Sequence, residues 1–512
     1  MTPSLGHRWK RPAALALALI FGALLLPQTA ATQSRPLVVI QGAEPESLDA
    51  SMQTGMLNLN VSLHAMEPLV TFDEKMRLVP VLATAWRWLD PSTMELKLRP
   101  GVKFSDGTPF RASDVKFTFD RIIDRRSTSE FRRYINERVI REARVVDDTT
   151  VQLRLTGPRP VLVRNLVQLG MASEAAVARL GAQRYHRAPV GTGPYKIKEW
   201  TAGVRVVLEA NETYWGGAPK IREIHWRWIK EDSTRVAELL AGRADLITAL
   251  PPDSVKAVEQ GRDTRVESTP SLRSVFIAMN TKKAPLNDVR VRRAFNYAVN
   301  ADAMITRLLS GWADRIPSVF GPLVFGYNPR LKPFQYDPER AKTLLAEAGH
   351  GRGLSVSFFA YKGRLLKDKE ISESIAAYLM RVGVKVSLQF VEFLTVMGFV
   401  RKYSDEVDLL LFSNANNNAD ASYNLELNFW SKGRGTYWSN PQVDDLIETA
   451  GHEADEGKRE RMYQEALRLL TEVHVPVIPL FQQRDLYGVN KRLQGFKVSP
   501  DESIKLGQAT VR

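Results

Sequence analysis

An α/β architecture is predicted for this 512-residue chain by three features. Short β-like runs alternate with capped helices along almost its whole length. There is no fixed-period repeat and no low-complexity linker, so its units should pack together. The length also exceeds one ordinary core, and at roughly 100–200 residues per domain it implies two to four units.

The elements follow in order. Leu37 to Ile40 reads as a buried strand ending at Gly42. Met94 to Leu98 alternates as a strand, and Asp106-Gly107 marks a tight turn. Ser113 is the expected N-cap of a helix carrying Val115, Phe119 and Ile122. Thr149 to Leu155 is a strand, Tyr195 to Ile197 with Val204 to Glu209 a hairpin, and Ile221 to Ile229 a further strand. Helices are predicted after Asn287 or Asp288, after Asn300, and after the Asp337-Pro338 and Asn440-Pro441 pairs, where an N-cap precedes proline. Ile371 to Met380 is a helix feeding the strand Val384 to Phe390, and Val407 to Phe412 is a buried strand.

The first 31 residues read as a cleaved secretory leader. Arg8, Lys10 and Arg11 precede an apolar stretch from Ala13 to Leu26, Pro27 breaks it, and Thr29-Ala30-Ala31 supplies the small residues of a cleavage site. That stretch falls short of the about 20 residues a membrane span needs. A retained membrane helix is the alternative. The mature chain is expected to begin near Thr32, to carry no membrane span and to act outside the cytoplasm.

Composition narrows the function. Cysteine is absent, which excludes disulfides, thiolate metal sites, a cysteine nucleophile and an acylated lipoprotein cysteine. A free periplasmic protein is therefore expected. Net charge is +14. The densest basic run, Arg121 to Arg144, is interleaved with Asp124, Glu130, Glu137 and Glu142, and reads as a solvated, ion-paired face. An attraction to anionic lipid or an acidic partner is the sharper reading. No nucleic-acid motif occurs. The chain also lacks a G-x-S-x-G elbow, an H-E-x-x-H helix and a phosphate-cradling G-x-x-x-x-G-K. Six histidines of the mature chain lie far apart in sequence, so no metal site is expected. Carboxylate pairs stay open, because their pairing is spatial. No cofactor is expected, and weight shifts from catalysis to binding.

Specific text then appears. PVLATAWRWLDPSTMELKLRPGVKFSDGTPFRASDVKFTFD (Pro80–Asp120) is followed by VGTGPYKIKEW (Val190–Trp200), ANETYWGGAPKIREI (Ala210–Ile224) and AELLAGRADL (Ala237–Leu246). FIAMNTKKAPLNDVRVRRAFNYAVNADAMI (Phe276–Ile305), NPQVDDLIETA (Asn440–Ala450) and VPVIPLF (Val475–Phe481) complete the series. This ordered set resembles the family 5 extracellular solute-binding proteins, the dipeptide, oligopeptide and nickel type receptors of ABC importers. The resemblance implies a two-lobed periplasmic binding protein type II fold with an extra α/β subdomain inserted in the first lobe. It maps the first lobe to residues 32–69, 188–270 and 486–512, the insert to 70–187 and the second lobe to 271–485. Gly107, Gly191, Gly193, Gly216 and Gly217 are expected to serve backbone turns.

The resemblance also implies a site. In peptide-binding relatives an aspartate in the loop after a second-lobe strand pairs with the peptide's α-ammonium. The matching loop carries Asn414, Ala415, Asn416, Asn417, Asp420 and Tyr423, and Asn417 stands where that aspartate should be. An amide cannot neutralise an ammonium, a loss of about 2–5 kcal/mol for a buried pair. Either Asp420 substitutes or the ligand lacks a free amine, and the second is expected. Where a dipeptide relative holds the ligand carboxylate with arginine, this chain has Lys362, with Arg364 two residues on. Tyr361, Tyr423, Trp430 and Trp438 are candidates to stack on a ligand, or core residues. The implied function is capture of a small polar solute, peptide-like or carboxylate-bearing, by a monomer that hands it to an inner-membrane ABC permease. A secreted hydrolase on the same scaffold and a periplasmic chaperone or sensor are the rival readings.

Overall fold

The computed structural model describes residues 35–361, 366–402, 404–433, 435 and 437–512. The expected leader, Lys362 and Arg364 lie outside the described residues. Among the described residues no helix is long and apolar enough to cross a membrane.

Pro36–Arg512 forms one compact unit built on an eleven-stranded sheet. The strand order from one edge is Val384–Phe390, Leu354–Ala360, Leu409–Ala415, Thr264–Met279, Val477–Asn490, Leu246–Ile247, Leu37–Gln41, Glu223–Trp228, Arg205–Ala210 and Tyr195–Thr201. Ala313–Arg315 adds an eleventh strand alongside Val477–Asn490. Two antiparallel strands, Thr264–Met279 and Val477–Asn490, run through both halves. Their ladder joins Thr264–Pro270 to Asn490–Arg484, breaks, and resumes from Ser274 opposite Gln482. Pro270 lacks a backbone N–H, so it suits such an interruption. On one side of the break the flanking partner is Leu246–Ile247, and on the other it is Leu409–Ala415.

A separate antiparallel sheet, ordered Ala83–Asp90, Thr93–Leu98, Thr150–Leu155 and Ile140–Asp147, forms the insert. The helix Ala112–Ile123 buries Val115, Phe119 and Ile122 as the spacing predicted. Its N-cap is Arg111 rather than Ser113, and Asp114 accepts from the Arg111 backbone in a capping box. One continuous apolar cluster runs through Leu69–Met171 and again through Leu272–Phe481, so the insert and the second half share a packed core. A second cluster around Leu37, Leu208, Trp226 and Leu506 fills the first half.

Most caps fall where the sequence put them. Asp288, Asn300, Asp337 and Asn440 each accept hydrogen bonds from the first turn of their helices. One strand was misplaced: Leu409–Ala415 starts two residues later and runs three residues further than the apolar run suggests. Asn414 and Ala415 therefore belong to a ladder, opposite Ser274 and Arg273. Gly191 and Gly193 are also corrected. A Cβ at Gly191 would lie 2.0 Å from the Ala65 carbonyl oxygen, and one at Gly193 2.3 Å from that of His64. Close backbone packing, rather than a turn conformation, requires these glycines. The nearby ANETYWGG string is scaffold too: Tyr214 and Trp215 donate to the buried Glu67 carboxylate at 2.6 and 2.8 Å, as does Thr192 at 2.9 Å.

Candidate ligand-binding site

Two short turns of the insert, Glu130–Arg133 and Pro160–Leu166, face the segment that leaves the strand Leu409–Ala415 and enters the helix Ala421–Asn428. Polar contacts bridge the seam. Asn418 donates to the Asn165 side-chain oxygen at 2.9 Å, and Arg164 donates to the Ala419 carbonyl at 3.4 Å. Arg159 lies 3.7 Å from Glu426 and Arg164 lies 3.8 Å from Asp420. A cavity of about 510 Å³ opens beside this seam, lined by Arg133, Tyr134, Arg159, Asn165, Asn418, Tyr423, Glu426 and Trp430 among others. A small recess of about 20 Å³ shares Tyr134, Asn165 and Asn418 with it and is closed by Thr54, Arg164 and Asn417.

The local sequence explains how the second-half wall is held. Asp420 caps the helix Ala421–Asn428 by accepting from the Ser422 backbone at 3.0 Å and its hydroxyl at 2.7 Å. It is fully buried and receives a 2.5 Å hydrogen bond from Arg459. Asn416, also fully buried, spends its amide on the Asp420 backbone and the Asn424 side chain. Both residues shape the turn. Asn417 is half-buried and borders the recess, while Asn418 ties the turn to the insert.

The residues expected from sequence thus separate. Tyr423 lines the large cavity, with its ring 6.1 Å from that of Tyr134. Trp430 lines it too, and its buried indole N–H has no hydrogen-bond partner among the described residues. Tyr361 and Trp438 are core residues, 2% and 4% exposed, and the Tyr361 hydroxyl donates to Ser413 at 3.1 Å. Asn414 and Ala415 sit in the sheet and border neither space.

Sequence reasoning missed Arg133, Tyr134, Arg159 and Glu426. Arg133 lay inside the basic run read as an ion-paired face. Its neighbours Arg126 and Arg132 do pair with Asp124 and Glu137, but Arg133 makes no ion pair among the described residues. Around the seam four guanidiniums, Arg133, Arg159, Arg164 and Arg459, meet two carboxylates, Asp420 and Glu426. Burial pushes the Glu426 carboxyl above its ordinary range; Arg159 draws it down, and Asp420 pushes it further up. Burial, reinforced by Tyr423, also raises the Tyr134 hydroxyl, which stays a donor at neutral pH. No group of His, Asp and Glu suited to a metal ion occurs among the described residues.

A sheet crossed by two long shared strands, with a cavity lined by charged, aromatic and aliphatic side chains at the junction with an inserted subdomain, defines a two-lobed solute-binding protein. The chain belongs to the bacterial extracellular solute-binding proteins, family 5, whose middle-region model matches residues 77–436. It is 31% identical over 480 residues to the glutathione-binding protein GsiB of Pectobacterium atrosepticum, covering 91% of this chain and 92% of that one. Among solved structures it resembles HbpA2 from Haemophilus parasuis, with TM-score 0.86 and 25% identity, covering 93% of this chain and all of the other. The periplasmic binding protein DppA from Helicobacter pylori, in complex with the peptide STSA, matches with TM-score 0.75 and 25% identity over 93% of this chain and 98% of that one.

Proposed function

We propose that this protein captures a small, anionic, peptide-like solute in the periplasm and delivers it intact to an inner-membrane ABC permease. The observation that carries the reading is the cavity between residues 133–165 and 418–433, where guanidiniums outnumber carboxylates and tyrosine hydroxyls and an indole N–H supply further donors. Such a lining favours ligands bearing carboxylates. The names of the curated relatives, which bind glutathione, point the same way.

The lobes in this reading divide where the shared ladder breaks, which supports a second lobe spanning 271–485 and a first lobe that regains the chain after it. Ligand touching both walls of the cavity stabilises the closed arrangement by its differential affinity, and the closed form docks on the permease. The site offers hydrogen bonds and charge, and the role asked of it is binding and release without turnover.

The test is thermal unfolding with glutathione, di- and tripeptides and simple dicarboxylates. A true ligand at roughly 100 times its Kd adds about 2.7 kcal/mol of stability, and the shift grows with concentration. A melting temperature that stays flat across the whole panel sinks the reading. Ligand recovered with altered mass would instead favour a hydrolase.

A further inference from the structure

The Arg159–Glu426 pair across the seam is loosely held. At 3.7 Å it is longer than a hydrogen bond, and each side chain keeps about a third of its surface exposed (35% and 31%). Both groups face the large cavity, with Arg133 at its rim and the unpartnered Trp430 indole N–H in its wall. The other acid of the seam is already committed. Asp420 is fully buried, caps a helix, and lies against Arg459 and Arg164. Asn417, which the family resemblance sets where peptide-binding relatives carry an ammonium-binding aspartate, is an amide.

We propose that Glu426 is the ammonium receptor of this site, and that the ligand's own zwitterion enters the loose Arg159–Glu426 pair. The ligand's amine takes Glu426, which frees Arg159 for a ligand carboxylate, while Arg133 at the rim receives a second one. Two cations and one acid complement a solute with one ammonium and two carboxylates. The inference rests on the function proposed above and narrows it. It also replaces the expectation, drawn from Asn417, that the ligand lacks a free amine. Because Arg159 belongs to the insert side and Glu426 to the helix of the second lobe, the exchange would contact both walls at once, as closure requires.

The experiment is calorimetric titration of the full chain with glutathione and with its N-acetylated form, for the parent and for Glu426→Gln. The parent is expected to prefer the free amine by about tenfold or more, the scale of one charged contact. Glu426→Gln is expected to bind both forms within about twofold of each other, with no loss of affinity for the acetylated form. Equal binding of both forms by the parent overturns the assignment of Glu426 and leaves the solute-binding reading standing. Preference for the amine that survives in Glu426→Gln does the same. Binding of neither form, with no other panel compound binding, overturns both. The parent's amine preference is readable even if the variant folds poorly.

Discussion

Replacing Arg459 by methionine is expected to destabilise the protein by about 3–5 kcal/mol, the cost of breaking a buried ion pair by removing one partner. Arg459 is 5% exposed and Asp420 is fully buried, so neither charge has solvent to fall back on. The guanidinium also packs against the rings of Phe325 and Tyr463, at 4.8 and 5.1 Å, and methionine retains part of that apolar contact. What it loses is the 2.5 Å hydrogen bond to the Asp420 carboxylate. Arg164, at 3.8 Å from the other oxygen, then becomes the only cation left beside it among the described residues. The double change Arg459→Met with Asp420→Asn keeps the helix cap, removes the stranded charge, and should cost less than the single change. Urea unfolding followed by fluorescence measures both. A loss below about 1 kcal/mol for Arg459→Met would mean that the pair contributes no more than an exposed one.

Acidification is expected to weaken the fold through His64. Its ring is 4% exposed and lies edge-on to Tyr195 and Trp226. One ring nitrogen meets the Asn60 carbonyl at 2.9 Å, and the other, Nε2, is buried without a hydrogen bond among the described residues. Burial lowers the imidazole pKa from 6.5 to about 4, with the Asn60 and Val61 carbonyls opposing the shift. Between those values the unfolded chain holds a proton that the folded one refuses. The His64 contribution is therefore intact above pH 6.5 and is lost progressively as pH falls towards 4. The full shift is worth about 3 kcal/mol at 1.36 kcal/mol per unit. Glu67 and Asp485 act in the opposite sense, since burial raises both carboxyls. The measurement is thus a comparison: between pH 7 and about 4.5, the parent should lose about 2–3 kcal/mol more than His64→Gln. Parallel stability curves for the two proteins would refute it.

Neither Arg459 nor His64 was marked by the sequence, and the reason is physical. A cap or a turn is a contract between neighbours. Asp337-Pro338 and Asn440-Pro441 set helix starts by geometry contained within four residues, so they were legible. The strand through Leu409 was legible as an apolar run, but its end was not, because Asn414 and Ala415 are recruited by Ser274 and Arg273, far away along the chain. Polar residues say little about pairing until the partner strand is known.

The site shows the same division more sharply. The asparagine-rich turn was found, yet its members were not separable by type: Asn416 turned inward to hold Asp420, and Asn417 and Asn418 turned towards the insert. Arg133 and Arg159 come from two turns of the insert and Glu426 from a helix of the second half, and Glu426 joins the two arginines only once these parts pack together. Nothing in the basic run distinguished Arg133 from Arg132, which is spent on Glu137.

By itself, the sequence determined the α/β class, the family, four helix starts and the absence of cysteine chemistry, because each rests on local pattern or on composition. Only the tertiary structure decided which charges are neutralised and which are left facing a cavity. Electrostatic partnership depends on distance and burial in space, and the order of residues along the chain carries neither.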